Sequence, residues 1–284
     1  MSGREGKRSL RPRSGSHIFA LLLIPVAALL AFFLWGFLRG AVEQLRRPAP
    51  AIAHTETSAL GILPHRGDIV LILDDVGFDH QPLETAMAID PNVNFAVLPN
   101  GKRSTEFAAT LHDHGFELLC HLPMEPEGFP QVSPGGGAVM TAMSDAEIAR
   151  TTRANIETIR FARGVNNHMG SRATADRRVM TDVLGAFPKG MYFIDSRTTG
   201  NSVAGSVAHE MRVKTASRNV FLDDVQDVAV IRHQLDELAS TAAARGIAIG
   251  IGHMHPTTMQ VLTEDAPKLR AKGFRFVRAS SVVE

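Results

Sequence analysis

IVLILDD, residues 69–75, sets an unbroken apolar run ahead of two aspartates, and its reading decides the fold. A run that is apolar at every position, not at every second one, describes a strand covered on both faces, as in a parallel sheet. Related runs recur downstream: VNFAVLP (93–99), FELLCHLP (116–123), GVNNHM (164–169), MYFIDS (191–196), NVFLDD (219–224), IAIGIGH (247–253) and FRFVRA (274–279). Amphipathic stretches lie between them. The clearest is SDAEIARTTRANIETIRFA, where Ser144 and Glu147 have capping-box spacing and Gly164 follows near the end. The pattern predicts repeated βα units, and their number fits a closed or nearly closed α/β barrel better than a small open sheet, with a doubly wound sheet as the alternative.

Polar residues collect where the predicted strands end: Asp74 and Asp75, His121, His168, Asp195, Asp223 and Asp224, then His253. In a β/α barrel those ends share one face, where residues remote in sequence converge on one metal or substrate. Singly, each has a plainer reading. Paired aspartates after a strand cap the next helix, Asp223-Asp224 included. A lone histidine is more often a hydrogen-bonded structural residue than a ligand. Cys120, in an apolar strand, reads as a packing residue. Their common position is what favours chemistry. The glycine-rich stretch between Glu125 and Met143, containing PEGFPQVSPGGGAVM, reads as a loop over that face.

Composition narrows the classes. A 284-residue chain that is 44% hydrophobic can bury a substantial core. With 30 basic against 29 acidic residues, there is no large net charge to draw it to nucleic acid. A single cysteine excludes an intramolecular disulfide framework and cysteine-rich zinc patterns, so any metal relies on His, Asp and Glu. From Ile18 to Leu38 the sequence IFALLLIPVAALLAFFLWGFL carries no charge and reaches the length of about 20 residues that spans a bilayer. Arg4, Lys7, Arg8, Arg11 and Arg13 precede it, which predicts a cytoplasmic tail over 1–17, a transmembrane anchor over 18–38, a linker over 39–66 and an outward-facing domain over 67–284. The expected place is the inner (cytoplasmic) membrane, single-pass, with the domain on its periplasmic or extracellular side. A cleaved signal peptide competes, but its best site, Ala51-Ile52-Ala53, lies far beyond the apolar run.

Taken in order, LILDDVGFD, FAVLPNG, HLPMEP, GVNNHMGSRAT, FIDSRTT, FLDD and GIGHMHP resemble the divergent polysaccharide deacetylase family, relatives of the NodB-type carbohydrate deacetylases. The resemblance implies a distorted (β/α) barrel with a mononuclear metal site. It makes Asp74 the base, Asp75 a ligand, His253 the acid, and Asp195 the carboxylate that orients that histidine. The better-known deacetylases carry two histidine ligands four residues apart, whereas here Glu125 stands four residues after His121. Either Glu125 is the third ligand or His168 is, and the preferred set is Asp75, His121 and His168. Mixed nitrogen and oxygen donors suit Zn²⁺ among divalent ions. Arg172 and Arg197 are candidates to bind an anionic substrate group.

The implied activity is hydrolytic deacetylation of N-acetylated envelope glycan, or of another acetylated small substrate. One observation opposes a long glycan cleft: the only Trp, Trp35, lies in the predicted anchor and the only Tyr, Tyr192, in a predicted strand, leaving Phe129 of the glycine-rich loop as the obvious ring to stack on sugar. The alternative is a noncatalytic envelope protein whose barrel binds glycan or a protein partner.

Overall fold

The computed structural model describes residues 34–36, 39 and 64–284. The expected tail, most of the anchor and most of the linker lie outside the described residues, and among the described residues no helix is long and apolar enough to cross a membrane. Contacts divide the chain into Met1–Ile62 and Leu63–Glu284, and the second unit holds every predicted strand and candidate site residue.

Strands and helices alternate through most of that unit. The strands are β1 (Gly67–Val76), β2 (Asn94–Val97), β3 (Glu117–Met124), β4 (Ala162–Met169), β5 (Tyr192–Asp195), β6 (Thr215–Ser217), β7 (Val220–Phe221), β8 (Ile247–His253) and β9 (Phe274–Phe276). The helices are α1 (Leu83–Met87), α2 (Ser104–Asp113), α3 (Asp145–Thr158), α4 (Arg177–Gly185), α5 (Ala204–Glu210), α6 (Val228–Arg245) and α7 (Pro256–Ala271). The start of α3 is fixed as expected, with Glu147 accepting from both the amide and the hydroxyl of Ser144. Gly164, expected to follow that helix, lies instead inside β4, where the ring of Tyr192 leaves no room for a Cβ.

All pairings among these strands are parallel, in the order β6-β5-β4-β3-β2-β1-β8-β7, with β9 on the first residues of β1. The sheet's two edges, β6 and β7, are separated along the chain by only Arg218 and Asn219. Two residues span at most about 10 Å between flanking Cα atoms, so the sheet must curl until its edges nearly meet. Arg218 N donates to Asp195 O of β5 and Asn219 N to Ile249 O of β8, so this dipeptide bridges the seam. The result is a curled, incompletely closed β/α barrel. The short β6 carries no signal in the sequence, because Thr-Ala-Ser lacks an apolar run.

Side chains alternate across the barrel wall. On β1, Ile69, Leu71 and Leu73 join the core under the helices, while Val70 and Ile72 join a smaller cluster with Leu119, Tyr192, Ile194, Ile249 and Ile251. That smaller cluster fills the interior and is capped by Ala279 and Val283 of the C-terminal turn. Each fully buried Leu or Ile contributes roughly 1.5–3 kcal/mol of transfer free energy. Cys120 packs in the outer core, and burial pushes its thiol up, which suits packing and not nucleophilic attack.

Candidate metal centre

The interior rows continue upward into the polar residues. Asp74 follows Val70 and Ile72, His121 follows Leu119, His253 follows Ile249 and Ile251, and Asn166 and His168 share the inward parity of β4. Alternation alone would send Asp75 outward. A register shift between Leu73 and Val76 sets an extra residue into β1 against β2, and Asp75 takes a left-handed φ of 57°. Bulges of this kind re-aim a side chain. Holding a non-glycine residue there costs on the order of 1–3 kcal/mol and requires local support. Gln81 provides it: its Nε2 donates to Asp75 O at 2.7 Å, and its Oε1 accepts from the amides of Gly77 and Phe78.

Three donor atoms then form a triangle. Asp75 Oδ1 lies 2.9 Å from His168 Nδ1 and 3.2 Å from His121 Nε2, and the two ring nitrogens are 3.3 Å apart. Tetrahedral ligands about 2.0–2.1 Å from one ion stand about 3.3 Å from each other, so the residues present fit a divalent cation. Asp75 Oδ1 is also buried without an aligned hydrogen bond despite both close nitrogens. Burial opposes the charge on Asp75, but His121 and His168 outweigh it and hold the carboxyl well below the usual carboxylate range.

His121 Nδ1 faces Asn166 Oδ1 at 2.9 Å, while Asn166 Nδ2 donates to Asp74 Oδ1 at 2.9 Å and to Ser196 Oγ at 3.2 Å. An amide oxygen only accepts, so His121 is protonated on Nδ1 and, as the neutral imidazole, presents a lone pair from Nε2. Asp74 is buried beside the triangle, its Oδ2 3.5 Å from His121 Nε2, and burial raises its carboxyl pKa. His253, the partner of Asp74 across the β1–β8 pairing, has its Nε2 3.6 Å from Asp75 Oδ2. His253 Nδ1 meets Asp223 Oδ1 at 3.0 Å, and Asp223 Oδ2 accepts from His253 N and Thr258 Oγ1. Burial opposes the imidazolium, but Asp223, Asp74 and Asp75 lift its pKa to about 9.

The carboxylate beside His253 is therefore Asp223 and not Asp195. Asp195 has the outward parity of Phe193 and accepts from Arg197 N and Ser202 Oγ at the approach to α5. Glu125, the alternative ligand, turns away from the triangle: it accepts from Thr141 N and Oγ1 and from Arg172 Nη1. That pairing commits Arg172 as well, its Nη2 donating to Glu127 O. Arg197 stands 3.9 Å from Asp195 and lines a separate cleft with Arg218. Asn166 and Gln81 are not among the residues expected from the sequence, although Asn166 shares the parity of His168 in GVNNHM. Asp223, His253 and His255 make a second group with metal-compatible spacing, but its hydrogen bonds tie His253 to Asp223.

A cavity of about 340 Å³ opens beside Asp75 and His168, lined by Phe78, Asn100 and the loop residues Ser133 to Gly136. The glycine-rich segment does lie at the site. Its Phe129 does not line this cavity; Phe78, 51% exposed, does.

The family profile described as "Divergent polysaccharide deacetylase" matches residues 71–283. The chain is 35% identical over 218 residues to the uncharacterized protein YibQ of Escherichia coli strain K12, covering 76% of this chain and 67% of that protein. It is 34% identical over 195 residues to an uncharacterized protein of Haemophilus influenzae, covering 68% and 69% respectively. Among solved structures, an uncharacterized protein of Agrobacterium tumefaciens, ATU2773, shares the fold at a TM-score of 0.70 and 21% identity, covering 85% of this chain and 94% of that one.

Proposed function

This chain belongs to the divergent polysaccharide deacetylase family, and from that premise we propose that it is a metal-dependent hydrolase removing acetyl groups from N-acetylated envelope carbohydrate. The observation that carries the reading is the placement of a buried carboxylate, Asp74, and a carboxylate-backed imidazole, His253, paired across β1 and β8 and each within 4 Å of the Asp75, His121 and His168 triangle. Asp75, His121 and His168 would hold a divalent ion, Zn²⁺ foremost by this donor set, which when bound would supply Lewis acidity for an acetyl carbonyl. Asp74 takes a proton from the attacking water, favoured by a pKa that burial raises. His253, kept protonated by Asp223, gives its Nε2 proton to the departing amine, so that amide and water become acetate and amine. Asn166 joins base to ligand by holding Asp74 and His121 at once.

The cavity beside the triangle is at the small end of ligand sites, and Phe78 offers a ring face at its wall. We place the hydrolase on the outer side of the cytoplasmic membrane, tethered by residues 18–38. The test measures metal content of the full chain and acetate released from N-acetylglucosamine oligomers. One divalent ion per chain and acetate release that vanishes in Asp74→Asn support the proposal. Metal-loaded protein that releases no acetate from acetylated sugars, peptides or esters overturns it in favour of a binding module.

A further inference from the structure

The opposite end of the barrel, where strands begin and helices finish, carries chemistry that the hydrolysis does not use. Its exposed cations include Arg66 ahead of β1, Arg163 in β4, Lys189 before β5, Lys214 before β6 and Arg278 after β9. Arg160, Arg212, Arg245 and Lys272 add to them at the helix ends. Cations at helix C-termini are expected from the helix dipole. That reason does not extend to Arg66, Arg163 or Arg278, which lie on strands and their flanks.

Four acids at this end are committed to partners. Asp68 pairs with Arg275, Asp90 with Arg270 and Glu210 with Arg177. Glu117 is buried, accepting from Tyr192 Oη and from the amide and hydroxyl of Ser280. Among the described residues Asp113, Glu157 and Glu284 stay exposed there without an ion pair, as do Asp236 and Glu237 midway along α6, and none of the nine cations named above has one. The cations therefore prevail. Arg160, Arg163, Arg278 and His112 surround a cleft of about 650 Å³ whose one acid is the buried Glu117. The chain also enters the domain here: Arg66 N donates to Gly273 O, downstream in sequence of the apolar run 18–38.

We propose that this end of the barrel is a docking surface for an anionic lipid bilayer, with the cleft between Arg160, Arg163 and Arg278 seating phosphate headgroups. Clustered cations near a negatively charged bilayer each strengthen attachment, and the attraction is screened by salt within about 10 Å at 0.1 M. Docking would turn the triangle of Asp75, His121 and His168 away from the lipid, because it lies at the other ends of the same strands. The proposal stands apart from the hydrolytic reading and survives if no substrate is found.

The test uses the full chain reconstituted into vesicles, with a fluorophore on Ala271→Cys at the basic end or on Gln131→Cys in the glycine-rich loop. Both positions are exposed, and Cys120 is buried. A quencher attached to the lipid headgroup reads proximity. With phosphatidylcholine vesicles containing anionic phosphatidylglycerol, quenching of the label at 271 should rise at least about fivefold over phosphatidylcholine alone and fall back in high salt, while the label at 131 stays unchanged. Joint Arg160→Glu, Arg163→Glu and Arg278→Glu substitution should return the signal to the phosphatidylcholine level. If that variant does not fold, joint Lys189→Gln, Lys214→Gln and Lys272→Gln substitution at exposed positions should lower the signal in the same direction. Quenching indifferent to lipid charge, as insertion of residues 18–38 alone would give, overturns the proposal. So does displacement by millimolar inorganic phosphate, which would make the cleft a free-phosphate site, or by a soluble anionic polysaccharide.

Discussion

The two ends of the barrel use ionisable residues in opposite ways. Where the strands finish, Asp74, His121 and Asp223 are buried and engage their neighbours through short, directed contacts, whereas Arg163, Lys189 and Lys214 where the strands begin are exposed and make no ion pair among the described residues. In the low dielectric of the first end, each charge depends on a neighbour, and losing one partner leaves another uncompensated. In water at the second end, charges act as a field and are individually replaceable. Substitutions should therefore have large, specific effects at one end and small, interchangeable effects at the other.

The largest effect is expected at Asp74. If it is the base, Asp74→Asn should keep the metal, because the side chain lies outside the triangle, and lower acetate release by about 10²-fold or more. Metal analysis alongside kinetics checks both halves. His168→Ala should remove the metal itself, and full occupancy after that change would redraw the ligand set around His121 and Glu125. Asn166→Ala should come next. Loss of the amide frees the His121 ring and the Asp74 carboxylate together, and outer-shell partners of this kind are typically worth about 10–100-fold in metal affinity or activity. Equal metal affinity in competitive titration would show that the ring is held by packing alone.

A third effect concerns pH. In metal-free protein, His253 should titrate near 9, and Asp223→Asn should bring it down toward the ordinary value of about 6.5, read by NMR of the imidazole. A histidine whose pKa is raised on folding adds stability fully present below about pH 6.5 and lost as pH climbs through 9. The stability gap between wild type and Asp223→Asn should accordingly narrow across that window. A gap of constant size would assign the role of Asp223 to its bonds with His253 N and Thr258, and not to charge.

Most of this architecture was legible in the chain because buried parallel strands must be apolar on both faces, so IVLILDD, FELLCHLP and IAIGIGH announce themselves. His121 and His168 entered the expected ligand set through the resemblance to the deacetylase motifs, and in the structure each has the inward parity of its strand. Asp195 misled because FIDS and FLDD look alike at the level of strand-end aspartates, yet Ile194 holds the inward position on β5 and leaves Asp195 outside, while Asp223 lies past a two-residue strand. The turn that brings Asp75 inward was not legible, since a bulge depends on register against β2 and not on β1 alone. Nor was the commitment of Glu125 to Arg172, a contact between residues 47 apart in sequence.

The smallest effect should come from the basic end, and it sharpens the contrast most directly when set against a change in the barrel interior. Leu119→Ala opens a cavity among Ile72, Ile194 and Ile251, where large-to-small changes cost about 2–5 kcal/mol. Arg163→Gln lies only two positions before the buried Val165 on β4, but it is exposed and unpaired, so its cost should stay within about 0.5 kcal/mol. Chemical denaturation of both variants measures the difference. A cost above about 1 kcal/mol for Arg163→Gln, twice the range expected of an exposed site, would mean that the cation stabilises the fold around Glu117 and Ser280, and the view of the basic end as a field of replaceable charges would fail. A cost near zero, together with metal affinity equal to wild type, would show that the two ends can be altered independently, which a membrane-docking floor beneath a hydrolytic rim requires.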